Sequence, residues 1–181
     1  MGDGTTATAS IGRDGQLDRL WRQSGLASVN SFYSRVTQIL GFKPNRHEGK
    51  ITGLAAYVPP PPRLVAHMQT KVAFKAPGFT RLSSRRTERP DDPFWSEVAR
   101  WSREEVAAAA QHVLEQAVVG FVQHWVRETG CRNVALAGGT AANVKLNQRI
   151  NDTGDVDHLW VFPHMGDGGL AAGAALGAVG A

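Results

Sequence analysis

Twice in its last third the chain passes from a short apolar segment straight into glycines and then into a helix-forming stretch. Ala135-Leu136-Ala137-Gly138-Gly139-Thr140-Ala141-Ala142-Asn143 is the first passage, and Phe162-Pro163-His164-Met165-Gly166-Asp167-Gly168-Gly169 is the second. The order is β, α, β, α: a strand from Asn133 to Ala137, a helix from Thr140 to Ile150, a strand from His158 to Phe162, and a Gly/Ala helix from Gly169 onward. Successive strands joined by helices lie parallel, because a helix carries the chain back to the edge from which the next strand starts. The expected class is therefore α/β, a mixed sheet flanked by helices.

These junctions are also where chemistry can sit. A strand-to-helix bend rich in glycine bares backbone N–H groups at the positive end of a helix dipole, where a phosphate or sugar oxygen can bind unobstructed. Equally, glycine there can serve backbone geometry alone, as in any tight β-α turn. The first junction lacks both the three-glycine dinucleotide fingerprint and the Gly-Lys-Ser/Thr ending of a P-loop, so it supports neither fold. In the second, Asp167 stands between glycines and can either cap the following helix or hold a cation that serves phosphates. Read from the residues alone, the cap is the simpler role.

Upstream, Thr5 to Ile11 reads as a strand, Gly12-Arg13-Asp14-Gly15 as a hairpin turn, and the return strand begins near Gln16. Ser31 is placed to cap a helix with Phe32, Val36, Ile39 and Leu40 at helical spacing and Gly41 at its end. Asn45 and Glu48 have capping-box spacing for a second helix running to about Tyr57, ahead of Pro59. Gly49 and Gly53 fall one turn apart on that helix. Each costs about 1 kcal/mol relative to alanine, which points to something approaching the backbone closely. Lys50 beside them can reach an anionic ligand or can be an ordinary surface lysine.

Residues 59–92 read as an irregular excursion with two short strands, near Leu64 and at Val72 to Phe74. Asp92-Pro93 opens a helix. Ser102 and Glu105 form a capping box for a long one, buried along Val106, Ala110, Val113, Ala117, Phe121 and Trp125 and stopped by Gly130.

Composition narrows the functions. Hydrophobic residues are 42% and charged residues 20% of 181, ordinary usage for a folded protein. The net charge of +4 suits an anionic ligand, although Arg81, Arg85, Arg86 and Arg89 concentrate much of the excess in one polar loop. With the single Cys131 no internal disulfide forms, and the six histidines never pair one helical turn apart as a zinc site requires. No apolar run reaches the roughly 18 to 20 residues that span a bilayer. A cytoplasmic protein that binds neither membrane nor nucleic acid is expected.

Three stretches together resemble the O-carbamoyltransferases of the nodulation-factor and antibiotic-tailoring type. They are Leu40-Gly41-Phe42-Lys43-Pro44-Asn45-Arg46-His47-Glu48-Gly49-Lys50-Ile51-Thr52-Gly53-Leu54-Ala55, then Leu136 to Asn147, then Met165-Gly166-Asp167-Gly168-Gly169. The resemblance implies a threonylcarbamoyltransferase-like domain of the acetate and sugar kinase, Hsp70 and actin fold (ribonuclease H-like). It implies an activity that moves a carbamoyl group from carbamoyl phosphate, through carbamoyladenylate made with ATP, to a hydroxyl-bearing acceptor. On that basis Gly138, Gly139, Asn143, Gly166, Gly168 and Lys50 would border the nucleotide (ATP or carbamoyladenylate). Asp167 would be a ligand of a divalent metal, iron or magnesium, completed by ligands upstream of this chain, which reverses the simpler reading of that carboxylate.

Departures from the family pattern are specific. The family's metal-binding histidine pair lies upstream of Met1, its Asp-Gly-x-Gly-Asp-Gly hairpin motif starts here at Met1-Gly2-Asp3-Gly4, and its adenylate-forming domain lies beyond Ala181. Thr52, Val58 and Thr140 replace a usual Met, Gly and Val. The expectation is an incomplete lobe over residues 1–181, the second half of the carbamoyl-transferring domain, inactive in isolation or completed by a complementing polypeptide. The alternative is a noncatalytic nucleotide-binding or interaction module of the same fold. A small-molecule kinase would share the glycine turns but would not account for the His47 to Ala55 stretch.

Overall fold

The computed structural model describes residues 4–24, 29–80 and 92–179. The arginine-rich loop from Arg81 and residues 1–3 of the hairpin motif lie outside them.

Strand β1 (Thr5–Arg13) pairs antiparallel with β2 (Gln16–Ser24). The strand continues two residues past Ile11 because Asp14 and Gly15 alone make the turn, with φ of 51° and 75°. Two consecutive positive φ values match the right-handed twist of paired strands, and Asp-Gly tolerates them. Near the base of the hairpin, Trp21 packs against Phe121 and Trp125, with ring centroids 5.5 and 6.0 Å away. Phe121 and Trp125 remain only half-buried. They end the expected core stripe and instead form the seat of the hairpin.

Helix α1 (Val29–Ile39) buries Phe32, Val36 and, just past its end, Leu40, and Gly41 (φ 78°) stops it. Ser31 lies inside this helix and is not its cap. Helix α2 (Glu48–Leu54) is shorter than expected, and its box is only half made. The Glu48 carboxylate accepts from the Asn45 N–H (2.6 Å) and the Ser34 hydroxyl (2.9 Å), but Asn45 sits in the left-handed region (φ 60°), ahead of the N-cap position, which His47 occupies.

Where the sequence reads as a strand near Leu64, the structure has a helix, α3 (Pro62–Gln69). Pro62 at its first position fixes φ and needs no N–H partner. Leu64, Val65 and Met68, at helical spacing, are the residues it buries. The other expected strand becomes a two-residue hairpin, β3 (Phe74–Lys75) with β4 (Gly78–Phe79). The excursion is thus ordered packing over much of its length.

Helix α4 (Pro93–Val98) is capped by Asp92, whose carboxylate accepts from the Phe94 N–H. Helix α5 (Arg103–Thr129) has the full Ser102/Glu105 capping box and ends at Gly130 in the left-handed conformation. Its first half buries Ala107, Ala108, Ala109 and Ala110 in succession. A helix apolar on every side must be surrounded, and α5 is the axle on which α1, α2, α3 and α6 pack.

Strand β5 (Asn133–Leu136) pairs in parallel with β6 (His158–Val161), as the glycine bends predict. Between them the expected single helix is split into a 3-10 turn (Gly139–Ala142) and α6 (Val144–Asn151). Asn143 makes the division, because its side chain accepts from the Leu146 N–H and caps α6. After β6 come a 3-10 turn (Asp167–Gly169) and α7 (Leu170–Val179), which buries none of its residues. The architecture is mixed α/β. Among the described residues its strands form three separate two-stranded sheets and not one mixed sheet, because the N-terminal hairpin docks on α5 and not on the parallel pair.

Candidate functional site

The two glycine turns meet. The Gly138 N–H, at φ 97°, donates to the Met165 carbonyl at 2.7 Å, which binds the turn after β5 to the turn after β6. Around them lies an open hollow of about 840 Å³, within the range that small-molecule sites occupy. The α1 side contributes Asn30, Tyr33 and Ser34, and the α2 side Gly49, Thr52 and Gly53. Gly139, Thr140, Asn143, Gly166 and Asp167 face them from the two turns. Thr140 donates to the side-chain oxygen of Asn30 across the hollow's rim.

The glycines divide into two kinds. A Cβ added at Gly49, Gly53, Gly139 or Gly166 would meet nothing within 4 Å, so at these positions the backbone is open to a ligand. Gly168 and Gly169 are packed instead, with added Cβ atoms falling 2.3 Å from the His164 ring and 2.2 Å from the His164 carbonyl oxygen. Gly168 therefore shapes the turn, and Gly138 spends its N–H there. Asp167 is exposed, and no side chain caps the turn it opens, which Gly166 precedes in extended conformation. The carboxylate is thus not used as a cap. Among the described residues no group of three His, Cys, Asp or Glu is placed to hold a metal ion. Lys50 does not line the hollow: its ammonium stands 5.3 Å from the centre of the Phe42 ring, which Arg103 also covers at 4.9 Å.

Behind the hollow is a polar network that sequence reasoning missed. Gln111, in the most apolar part of α5, exchanges two hydrogen bonds with Asn143: Gln111 Nε2 donates to Asn143 Oδ1 (3.1 Å) and Asn143 Nδ2 to Gln111 Oε1 (2.9 Å). Tyr33 donates to Gln111 Oε1 at 2.7 Å and lies 3.3 Å from the Thr52 hydroxyl, which also accepts from Asn143 Nδ2 at 3.4 Å. Gln111 further donates to Glu115 (2.9 Å), and Arg149 donates to the same carboxylate at 3.3 Å. Buried polar groups hold their positions when every member is satisfied, so this network sets the spacing between α1, α2 and the Asn143 turn. Its signal was two polar residues, Gln111 and Glu115, four apart within an alanine and valine run.

Burial pushes the Tyr33 phenol up from its usual 10.0 to about 12, with the nearby Glu115 carboxylate adding to the shift and the Thr52 hydrogen bond opposing it. The folded value lies above the unfolded one. The stabilisation is therefore complete below pH 10 and is lost as pH rises through 12. Denaturant unfolding of wild type is expected to lose on the order of 2 kcal/mol more than Tyr33→Phe between pH 9.5 and pH 12. Parallel pH profiles of the two proteins would contradict this.

The fold is thus a mixed α/β protein in which two linked strand-end turns and a glycine-bearing helix border one open hollow. This chain belongs to the carbamoyltransferase N-terminus family, whose model matches residues 1–176. It is 34% identical over 155 residues to the uncharacterized protein MJ1058 of Methanocaldococcus jannaschii, covering 83% of this chain and 25% of that protein. To the uncharacterized protein sll1178 of Synechocystis it is 32% identical, over 97% of this chain and 31% of the relative. To the nodulation protein NolNO of Sinorhizobium fredii it is 27% identical, over 97% and 26%. The chain thus spans about a quarter to a third of the length of these relatives. No helix among the described residues is long and apolar enough to cross a membrane.

Proposed function

We propose that the hollow is one wall of the nucleotide site of a carbamoyl-transferring domain with an actin-like fold, binding ATP or carbamoyladenylate. The observation that carries this is the convergence of Gly49, Gly53, Gly139 and Gly166 on one hollow with the uncommitted carboxylate of Asp167 at its edge. Backbone bared by glycine lets phosphate and ribose oxygens approach closely. Asn143 borders the nucleotide without gripping it, since its amide is engaged with Gln111, Thr52 and the Leu146 N–H. Gly138 and Gly168 keep the turns in shape. Lys50, engaged over Phe42, is left out of this reading.

Asp167 fits one position in a metal's ligand shell: it is exposed, has no hydrogen bond among the described residues and is held on a short turn. A divalent cation there would offset phosphate charge. Transfer of the carbamoyl group from carbamoyl phosphate through the adenylate to a hydroxyl belongs, in this reading, to the whole protein that the longer relatives represent. Calorimetric titration with ATP and magnesium tests the site. Saturable binding is expected, and Asp167→Asn is expected to lower the magnesium-dependent affinity about ten-fold, roughly 1.4 kcal/mol. An Asp167→Asn protein that binds ATP as wild type does, or a wild type that shows no saturation, would remove the proposal.

A further inference from the structure

On the far side of the Thr52 and Asn143 partition lies a second hollow, of about 470 Å³, between α2, α5 and α6. Buried Ala108 and half-buried Ala55 supply part of its apolar lining, exposed Val144 stands at its rim, and it is also lined by His112, Lys145 and Arg149. We propose that this hollow is a separate binding site for the oxyanion group of a small phosphate-bearing molecule.

The case rests on how Arg149 is held. Glu115 is buried, with its side chain 10% exposed, and is positioned from within by the Gln111 amide at 2.9 Å. It accepts from Arg149 through Nε, at 3.3 Å. A guanidinium gripped at Nε keeps its two terminal nitrogens for another partner, aimed in a fixed direction, and that planar fork matches phosphate oxygens. Arg149 remains 55% exposed and faces the hollow. Beside it, His112 is half-buried, lines the hollow and has no hydrogen bond, ion pair or ring contact among the described residues. Lys145 completes the group from one turn earlier on α6, its ammonium resting on the Gln148 side chain at 3.0 Å.

Charge has the right sign. Glu115 offsets one of the two permanent cations, Arg149 and Lys145, so the hollow keeps a net positive charge. Glycine-bared backbone, the feature of the first hollow, is absent from this lining, so recognition here is by side chains and favours a compact anion over a nucleotide.

The test titrates the protein with inorganic phosphate at constant ionic strength, following the His112 ring signals by nuclear magnetic resonance. Saturable shifts at millimolar phosphate are expected. Arg149→Gln should weaken binding at least ten-fold. Because that change also strips a partner from buried Glu115, His112→Asn and Lys145→Gln are measured as well, each expected to weaken binding about three- to five-fold in a folded protein. Repeating the titration with glycerol 3-phosphate separates the sources: tighter binding of the ester assigns an organic phosphate, and equal or weaker binding assigns the free ion. Equal shifts with chloride, displacement of phosphate by adenosine, or wild-type affinity in all three variants would each overturn the assignment.

Discussion

Asn143→Ala is expected to destabilise the protein by about 2–3 kcal/mol. Loss of the cap on α6 costs about 1 kcal/mol, and the Gln111 and Thr52 groups left short of a buried partner cost about 1–2 kcal/mol more. Both follow from one side chain, which accepts from the Leu146 N–H and Gln111 Nε2 and donates to Gln111 Oε1 and Thr52. For a chain of this size the thermal midpoint should fall by about 5–10 °C. Gln111→Ala should be costly too, and the double variant should lose less than the two single losses added together, because the amide pair is shared. Strict additivity, or a midpoint within a degree of wild type for Asn143→Ala, would show that the network does not hold the two sides together.

Gly169→Ala is expected to separate binding from stability. The new Cβ would fall 2.2 Å from the His164 backbone oxygen, and a backbone atom cannot step aside as a side-chain tip can. The turn carrying Gly166 and Asp167 must shift. A displacement of this kind is expected to cost about 100-fold in magnesium-dependent ATP affinity, close to 3 kcal/mol. Global stability should change by less than about 1 kcal/mol, because the helix that follows, α7, buries no residue and contributes little to the core. Calorimetry for binding and denaturant unfolding for stability check the two halves. Unimpaired ATP binding, or a large drop in unfolding free energy, would contradict the assignment of that turn to the site.

Much of the local architecture was legible because its causes lie within a few residues. Ser102 with Glu105, Asp92 with Pro93 and Gly130 are each short-range signals, and each does in the structure what its spacing predicts, while the expected Gly12 to Gly15 turn is tightened to Asp14 and Gly15. The parallel pairing of β5 and β6 followed from the helix between two glycine-ended strands. The misreadings arose where two local signals competed. Leu64 and Val65 look like strand residues until Pro62 is seen to start a helix. Asn45 and Glu48 have box spacing, yet the left-handed backbone at Asn45 moves the helix start to Glu48.

Part of the candidate site was equally visible in the glycine turns and Asp167. The wall behind it was not. Tyr33, Thr52, Gln111 and Asn143 lie on four elements spread over more than half of the chain, and nothing in the neighbourhood of any one of them indicates the other three. The preference of Lys50 for Phe42 is of the same kind, since the ring it covers is fixed by packing and not by spacing along α2.

By itself the sequence determined the Asp92 and Ser102 caps, the Gly130 stop and the two strand-end bends, since backbone conformation and hydrogen-bond supply are decided over one or two turns of chain. Only the tertiary structure decided that both bends open into one hollow, that the hairpin stands apart on α5, and that an amide pair separates one hollow from a second. Those outcomes depend on which buried groups meet across long loops, and such meetings are selected by close packing and by the cost of leaving a polar group unsatisfied.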